Sequence, residues 1–186
     1  MEIQEEELLI ENAKKDPIYF GAIYKAYVGD VYRYCYSLLR DKEKAEDAVS
    51  DAFLLASTHL KTYLPRGKSI KCWLFTIARN QVLKAMKSYP TGAIYDCDLC
   101  DPQDNFLDML INADQTAMIT TVLNNLPPLR SEIIRLKIWD DLTFEAIADI
   151  TKMNLSTVKM TYYRSLKQLR DEVEKVRSIN TNPRFS

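Results

Sequence analysis

Apolar side chains recur at three- and four-residue intervals through most of this chain, and no run of alternating β-branched residues interrupts them, so the pattern predicts helices throughout. The first long helix is expected over Pro17–Leu39, with Asp16 and Pro17 suited to its start. It is crowded with rings (Tyr19, Phe20, Tyr24, Tyr27, Tyr32, Tyr34, Tyr36), most of which are expected in the core. After a break at Arg40 and Asp41, a second helix over Lys42–Leu60 carries Ala45, Ala48, Val49, Ala52, Phe53 and Ala56 on a narrow apolar side. Glu43, Glu46, Asp47, Ser50 and Asp51 make its other side acidic. Pro65 and Gly67 mark a loop over Thr62–Ser69. A third helix over Ile70–Lys87 is expected to turn Trp73, Leu74, Ile77, Ala78, Val82 and Leu83 inward and its basic residues outward.

The second half repeats the helical period in shorter pieces. A helix over Thr116–Asn125 should end at Leu126-Pro127-Pro128, because proline removes a donor and restricts the residue before it. The next carries Ile133, Ile134, Leu136, Ile138 and Trp139 on its apolar side. Phe144–Thr151, a turn through Lys152 and Met153, and Leu155–Leu169 then read as a helix-turn-helix, with Asn154 as the N-cap of the last helix. Val158, Tyr162, Leu166 and Leu169 face inward; Ser156, Thr157, Lys159, Met160, Tyr163, Arg164 and Lys167 lie opposite. Hydroxyls, bases and an aromatic ring suit phosphates and base edges, and the major groove is wide enough to admit such a helix. A plain helical bundle with a polar outer face fits the same spacing. The expected fold is all-α: two small helical domains, residues 1–89 and 114–186, joined by a flexible acidic linker over 90–113, the second domain a helix-turn-helix with a frayed tail.

Composition narrows the function. The chain has 186 residues, 47% hydrophobic and 27% charged, with only four glycines, which suits a globular all-α protein. Its net charge of −1 is unpromising for nucleic acid until its distribution is seen. Residues 66–87 hold six bases and no acid, and residues 152–177 hold seven bases against three acids. Residues 88–114 hold six aspartates and no base, and the first twelve residues carry five glutamates. Screening makes local density the quantity that attracts phosphate. No apolar run spans a bilayer and the acidic start is no secretory signal, so a cytoplasmic protein without membrane insertion is expected. His59 is the sole histidine, and no Ser/His/Asp or metal cluster is present, so neither enzyme activity nor a cofactor or metal is expected. Cys35 and Cys72 read as small buried hydrophobes. Cys97 and Cys100 form a Cys-x-x-Cys in the linker; half a zinc site or a redox pair is the competing reading, but zinc usually requires four ligands.

Three motifs, in order, resemble the bacterial RNA polymerase sigma factors of the sigma-70 family, extracytoplasmic-function (ECF) group. Ala45-Glu46-Asp47-Ala48-Val49-Ser50-Asp51-Ala52-Phe53 is similar to the family's core-binding helix, Trp73-Leu74-Phe75-Thr76-Ile77-Ala78-Arg79-Asn80 to its promoter −10 segment, and Leu126-Pro127 through Leu169 to its −35 reader. The resemblance implies that Glu46, Asp47, Ser50 and Asp51 dock on the clamp of the polymerase β′ subunit, with β also contacted. It implies that Arg66, Lys68, Lys71, Trp73, Arg79, Asn80 and Lys84 hold the melted −10 strand. Trp73 also begins the apolar stripe of its helix, which favours the core. Ser156, Thr157, Lys159, Met160, Tyr163, Arg164 and Lys167 would read the −35 duplex. Ser50 departs from the usual glutamine, Met160 from a small residue, and Thr161 from a base. The family's linker threads the RNA exit channel, and its members are commonly held inactive by an anti-sigma factor. A free-standing helix-turn-helix regulator is the alternative, against which the core-binding motif and the one-sided basic helix argue.

Overall fold

The computed structural model describes residues 3–65, 67–86, 123 and 126–180. The acidic linker with Cys97 and Cys100, most of the expected helix over 116–125, Arg66 and the tail beyond Asn180 lie outside them. Among the described residues there are seven α-helices and no strand: α1 (Ile3–Lys15), α2 (Phe20–Leu39), α3 (Lys42–His59), α4 (Ile70–Met86), α5 (Pro128–Ile138), α6 (Phe144–Thr151) and α7 (Leu155–Asn180). Two compact units result, Met1–Ala93 with Glu145–Lys152, and Ile94–Phe144 with Met153–Ser186.

In the first unit α2, α3 and α4 pack on one another. Buried residues on α2 are Ile23, Tyr27, Val31, Tyr34 and Cys35, one face of a 3.6-residue period. The six apolar residues expected on α3 are all buried, and four of them are alanines, which lets the neighbouring helices approach closely. Phe75, fully buried, sits 5.0 Å from the Tyr34 ring and ties α4 to α2. The caps follow from residue chemistry. Arg40 closes α2 in the left-handed region (φ 55) with its N–H on the Tyr36 carbonyl, and Asp41 accepts from the Lys44 N–H at 3.1 Å to start α3. That hydrogen bond, with the Lys44 charge, holds the Asp41 carboxyl below its ordinary value.

One expectation about this unit is corrected. Only Tyr27 and Tyr34 among the tyrosines of the first helical segment are buried, whereas Tyr19, Tyr24 and Tyr36 are exposed. Rings spread over so many positions occupy more than one face of a helix, and only one face meets the core. One helix lies outside those read from the sequence: α1, an amphipathic helix over the glutamate-rich start. Ile10 and Ala13 are buried, and α1 packs against α2 and the 3₁₀ turn Leu60–Thr62.

In the second unit α5 and α7 pack together, and Arg130 Nη1 donates to Gln168 Oε1 at 2.9 Å between them. Ile133, Ile134 and Leu136 are buried as expected, but Trp139, the C-cap of α5, is 43% exposed, with Arg135 6.0 Å from its ring. Local hydrogen bonds shape the end of α6, whose residues from Glu145 onward belong to the first unit, and the start of α7. Thr151 Oγ1 back-bonds to the Ile147 carbonyl, Lys152 turns the chain at φ 59, and Asn154 Oδ1 accepts from the Thr157 N–H at 2.7 Å. That N-cap is worth about 1 kcal/mol.

Candidate nucleic-acid interface

Three surfaces emerge when the helices are read face by face. The first is the outer side of α3. Glu46, Asp47, Ser50 and Asp51 are all exposed, and Glu46 lies 3.8 Å from Lys42 along the helix. One turn on, Leu54 is 64% exposed on the same side. The sequence reading passed over it, although its spacing from Ser50 and Asp51 places a lone large apolar group on a polar face.

The second surface is a cavity of about 540 Å³ between the end of α3, the following loop and α4. Its size lies within the roughly 300–1,000 Å³ range of small-ligand clefts. Its lining includes His59, Tyr63, Leu64, Trp73, Ile77, Asn80 and Gln81. Trp73 is half-buried with its ring 4.6 Å from Tyr63, so it forms a wall of the cavity rather than part of the core. Tyr63 Oη donates to the Lys68 carbonyl at 3.3 Å, and the Lys68 N–H to the Pro65 carbonyl at 2.8 Å. Gly67 has φ 68, a conformation that costs a side-chain-bearing residue about 1 kcal/mol or more. Asn80 lies a turn or two along α4 from Trp73, on the same cavity.

The bases of α4 do not all face outward. Arg79 is 5% exposed, because it falls four residues after Phe75 and three before Val82, on the buried stripe. Lys71 is largely covered: its Nζ lies 2.9 Å from Asp30 of α2 and 5.5 Å from the Phe75 ring. Burial raises the Asp30 carboxyl, but hydrogen bonds and charges from Lys71 and Arg33 outweigh it and hold the group below its usual value. Lys71 and Arg79 are thus committed inside the unit, while Lys68 and Lys84 stay exposed, Lys68 paired with Asp149 and Lys84 donating to Gln81 Oε1 at 3.2 Å.

The third surface is the outer side of α7. Ser156, Lys159 and Lys167 are exposed; Thr157, Met160, Tyr163 and Arg164 are partly exposed. Val158, Tyr162, Leu166 and Leu169 are buried opposite them, as expected. Tyr163 leans on Tyr162 (5.3 Å) and Phe144 (6.1 Å), and the Nζ groups of Lys137 and Lys159 lie 5.5 and 5.9 Å from the Phe144 ring. An aromatic anchor therefore limits where Lys159 and Tyr163 project.

Known proteins carry the same two-part arrangement. Residues 23–89 match the family Sigma-70 region 2, and residues 116–169 match Sigma-70, region 4. The ECF RNA polymerase sigma factor BldN of Streptomyces coelicolor is 32% identical over 158 residues, covering 81% of this chain. The chain belongs to the sigma-70 family, in its extracytoplasmic-function group. This ECF chain spans 58% of the length of BldN, but 86% of SigK of Mycolicibacterium vanbaalenii (26% identical) and 91% of SigM of Bacillus subtilis (25% identical). Its fold is also that of solved structures. CnrH in complex with the cytosolic domain of CnrY aligns with a TM-score of 0.67 at 16% identity, covering 91% of this chain and 97% of CnrH. RpoE from Bartonella quintana, in complex with the anti-sigma factor NepR, aligns with a TM-score of 0.61 at 20% identity, covering 83% and 96%. Among the described residues of this ECF chain, no helix is long and apolar enough to cross a membrane.

Proposed function

We propose that this ECF sigma factor is a dissociable specificity subunit of RNA polymerase that acts in the cytoplasm. Residues 1–89 bind core polymerase and the melted −10 strand, residues 90–113 link the halves, and residues 114–186 read the −35 duplex. It is not itself an enzyme; the polymerase performs the chemistry. The acidic side of α3 (Glu46, Asp47, Ser50, Asp51) docks on the β′ clamp, with Leu54 supplying an apolar contact among the charges.

The observation that carries this reading is the cavity walled by Tyr63, Trp73 and Asn80. Melting a duplex without ATP means unstacking bases at a few kcal/mol per step, and binding energy from the single strand must offset it. An aromatic wall supplies stacking for a base and Asn80 a donor and acceptor for its edge. Lys68 and Lys84 supply exposed charge for the backbone. Arg79 and Lys71 act instead from inside the unit, fixing α4. On α7, Lys159, Arg164 and Lys167 meet phosphates while Ser156, Thr157, Met160 and Tyr163 face base edges. The structural likeness to sigma factors solved with their binding partners, one an anti-sigma factor, supports a similar inhibitor here.

The test is reconstitution with purified core polymerase. Asn80→Ala should lower open-complex formation about tenfold or more while core affinity stays within about twofold, since one lost base-edge contact is worth roughly 1–3 kcal/mol. Equal losses in both would remove Asn80 from the base site. Failure of the wild type to bind core, with duplex DNA still bound, would favour the free-standing regulator.

A further inference from the structure

Glu6 is the one acidic side chain of α1 buried in the fold, at 8% exposure. Three donors converge on its carboxylate. Oε2 accepts from Tyr27 Oη of α2 and from Ser69 Oγ, each at 2.8 Å, and Oε1 accepts from the backbone N–H of Ile70 at 2.6 Å. Ile70 is the first residue of α4, so Glu6 reaches across from a different helix to satisfy one of the orphan N–H groups there. Burial and the neighbouring Glu6 carboxylate both push the Tyr27 phenol well above its ordinary value, so it remains a donor at every physiological pH.

The place of this anchor matters more than its strength. Ser69 and Ile70 end the loop that begins at Tyr63, and the Tyr63 ring lies 4.6 Å from that of Trp73, tilted by 30°, one turn into α4. The loop is held at its start by the Tyr63–Trp73 contact and at its end by Glu6. Among the described side chains of α1, the buried apolar ones are Ile10 and Ala13. A buried carboxylate costs desolvation, which its three donors offset only in this one loop geometry.

We propose that Glu6 is a positioning residue for the promoter cavity, holding the end of the 63–69 loop and the first turn of α4 so that the Tyr63–Trp73 wall stands formed before DNA arrives. This rests on the reading of that cavity as the −10 base site. Ordering the wall in advance removes an entropic cost from strand binding. It also assigns α1, which neither matched region includes, a part in promoter recognition.

The test uses the full chain with Trp139→Phe, which leaves Trp73 as the sole indole of the two in the sequence. Glu6→Ala should shift Trp73 emission to the red and raise its quenching by acrylamide. In the reconstituted holoenzyme it should weaken binding of a single-stranded −10 oligonucleotide about tenfold, with core affinity held within about twofold. Glu6→Gln, which keeps one acceptor oxygen, should recover part of both effects. Ser69→Ala, which leaves α1 untouched, should move both in the same direction by less. Unchanged emission and strand affinity in Glu6→Ala, or a parallel fall in core affinity in Ser69→Ala, would overturn the proposal. Wild-type holoenzyme that does not bind the strand would overturn the reading of the cavity instead. Trp73 emission in the free protein would then decide the anchor alone, a shift sustaining it and no shift overturning it.

Discussion

Single side chains in this protein show how position overrides residue type. Arg79 is a base in a basic segment, yet it lies on the buried stripe of α4. Trp73 is the larger hydrophobe, yet it lines an open cavity. Tyr162 is a further case, buried on α7 with no hydrogen-bond partner for its hydroxyl. Burial raises that phenol to about 12, so it stays neutral, but an unsatisfied hydroxyl carries a cost of roughly 1–3 kcal/mol. Tyr162→Phe keeps the ring against Phe144 at 5.2 Å and removes only the oxygen. Thermal or urea denaturation should therefore show stability unchanged or raised by about 1 kcal/mol. A loss of that size would mean that the hydroxyl has a partner after all, a bound water being the simplest.

At the scale of elements, α3 has two distinct faces. Its alanine-rich side is wholly buried, and its acidic side is wholly exposed. Changes on the second should leave the first intact. Charge reversal at Asp47 and Asp51 together should weaken core polymerase binding by tenfold or more, about 1.4 kcal/mol or beyond, while the melting temperature moves by no more than a degree or two. If the variant unfolds, the face is structural. The neighbouring helix behaves differently: α4 commits Lys71 and Arg79 to its own unit, so substitutions there mix stability with function, and Lys84 is the cleaner probe of charge.

The whole molecule carries a net charge of −1, so attraction to DNA must come from local surfaces rather than from a global field. On α7 the bases proposed for that contact are Lys159, Arg164 and Lys167. Each phosphate neutralised contributes about 0.9 to the slope of log affinity against log salt. Three such contacts give a slope of roughly −3, and Lys167→Ala should make it shallower by about 1 without changing which −35 sequence is preferred. A slope left unchanged would take Lys167 out of contact with phosphate; an altered sequence preference would make it a reader of bases.

The sequence by itself determined the all-α class, the break between α2 and α3, the starts of α3, α4, α6 and α7, and the inward stripes of α3 and α7, because these depend on periodicity, breakers and caps that act within a few residues. It placed the end of α7 at Leu169, eleven residues short of Asn180, and began the first long helix at Pro17, where a 3₁₀ turn over Pro17–Tyr19 precedes α2. Asp41 and Asn154 cap their helices because of their own side chains. The family was legible for the same reason, its motifs being continuous stretches of helix. Only the tertiary structure decided which rings of the first helical segment reach the core, that Lys71 pairs with Asp30 and Arg79 is buried, and that Tyr63, Trp73 and Asn80 share a cavity. It alone made a helix of the glutamate-rich start and sent Glu6 to residues 63 and 64 positions away in sequence. Spacing along one helix names the side that is apolar; it carries no record of what a different helix brings to meet it.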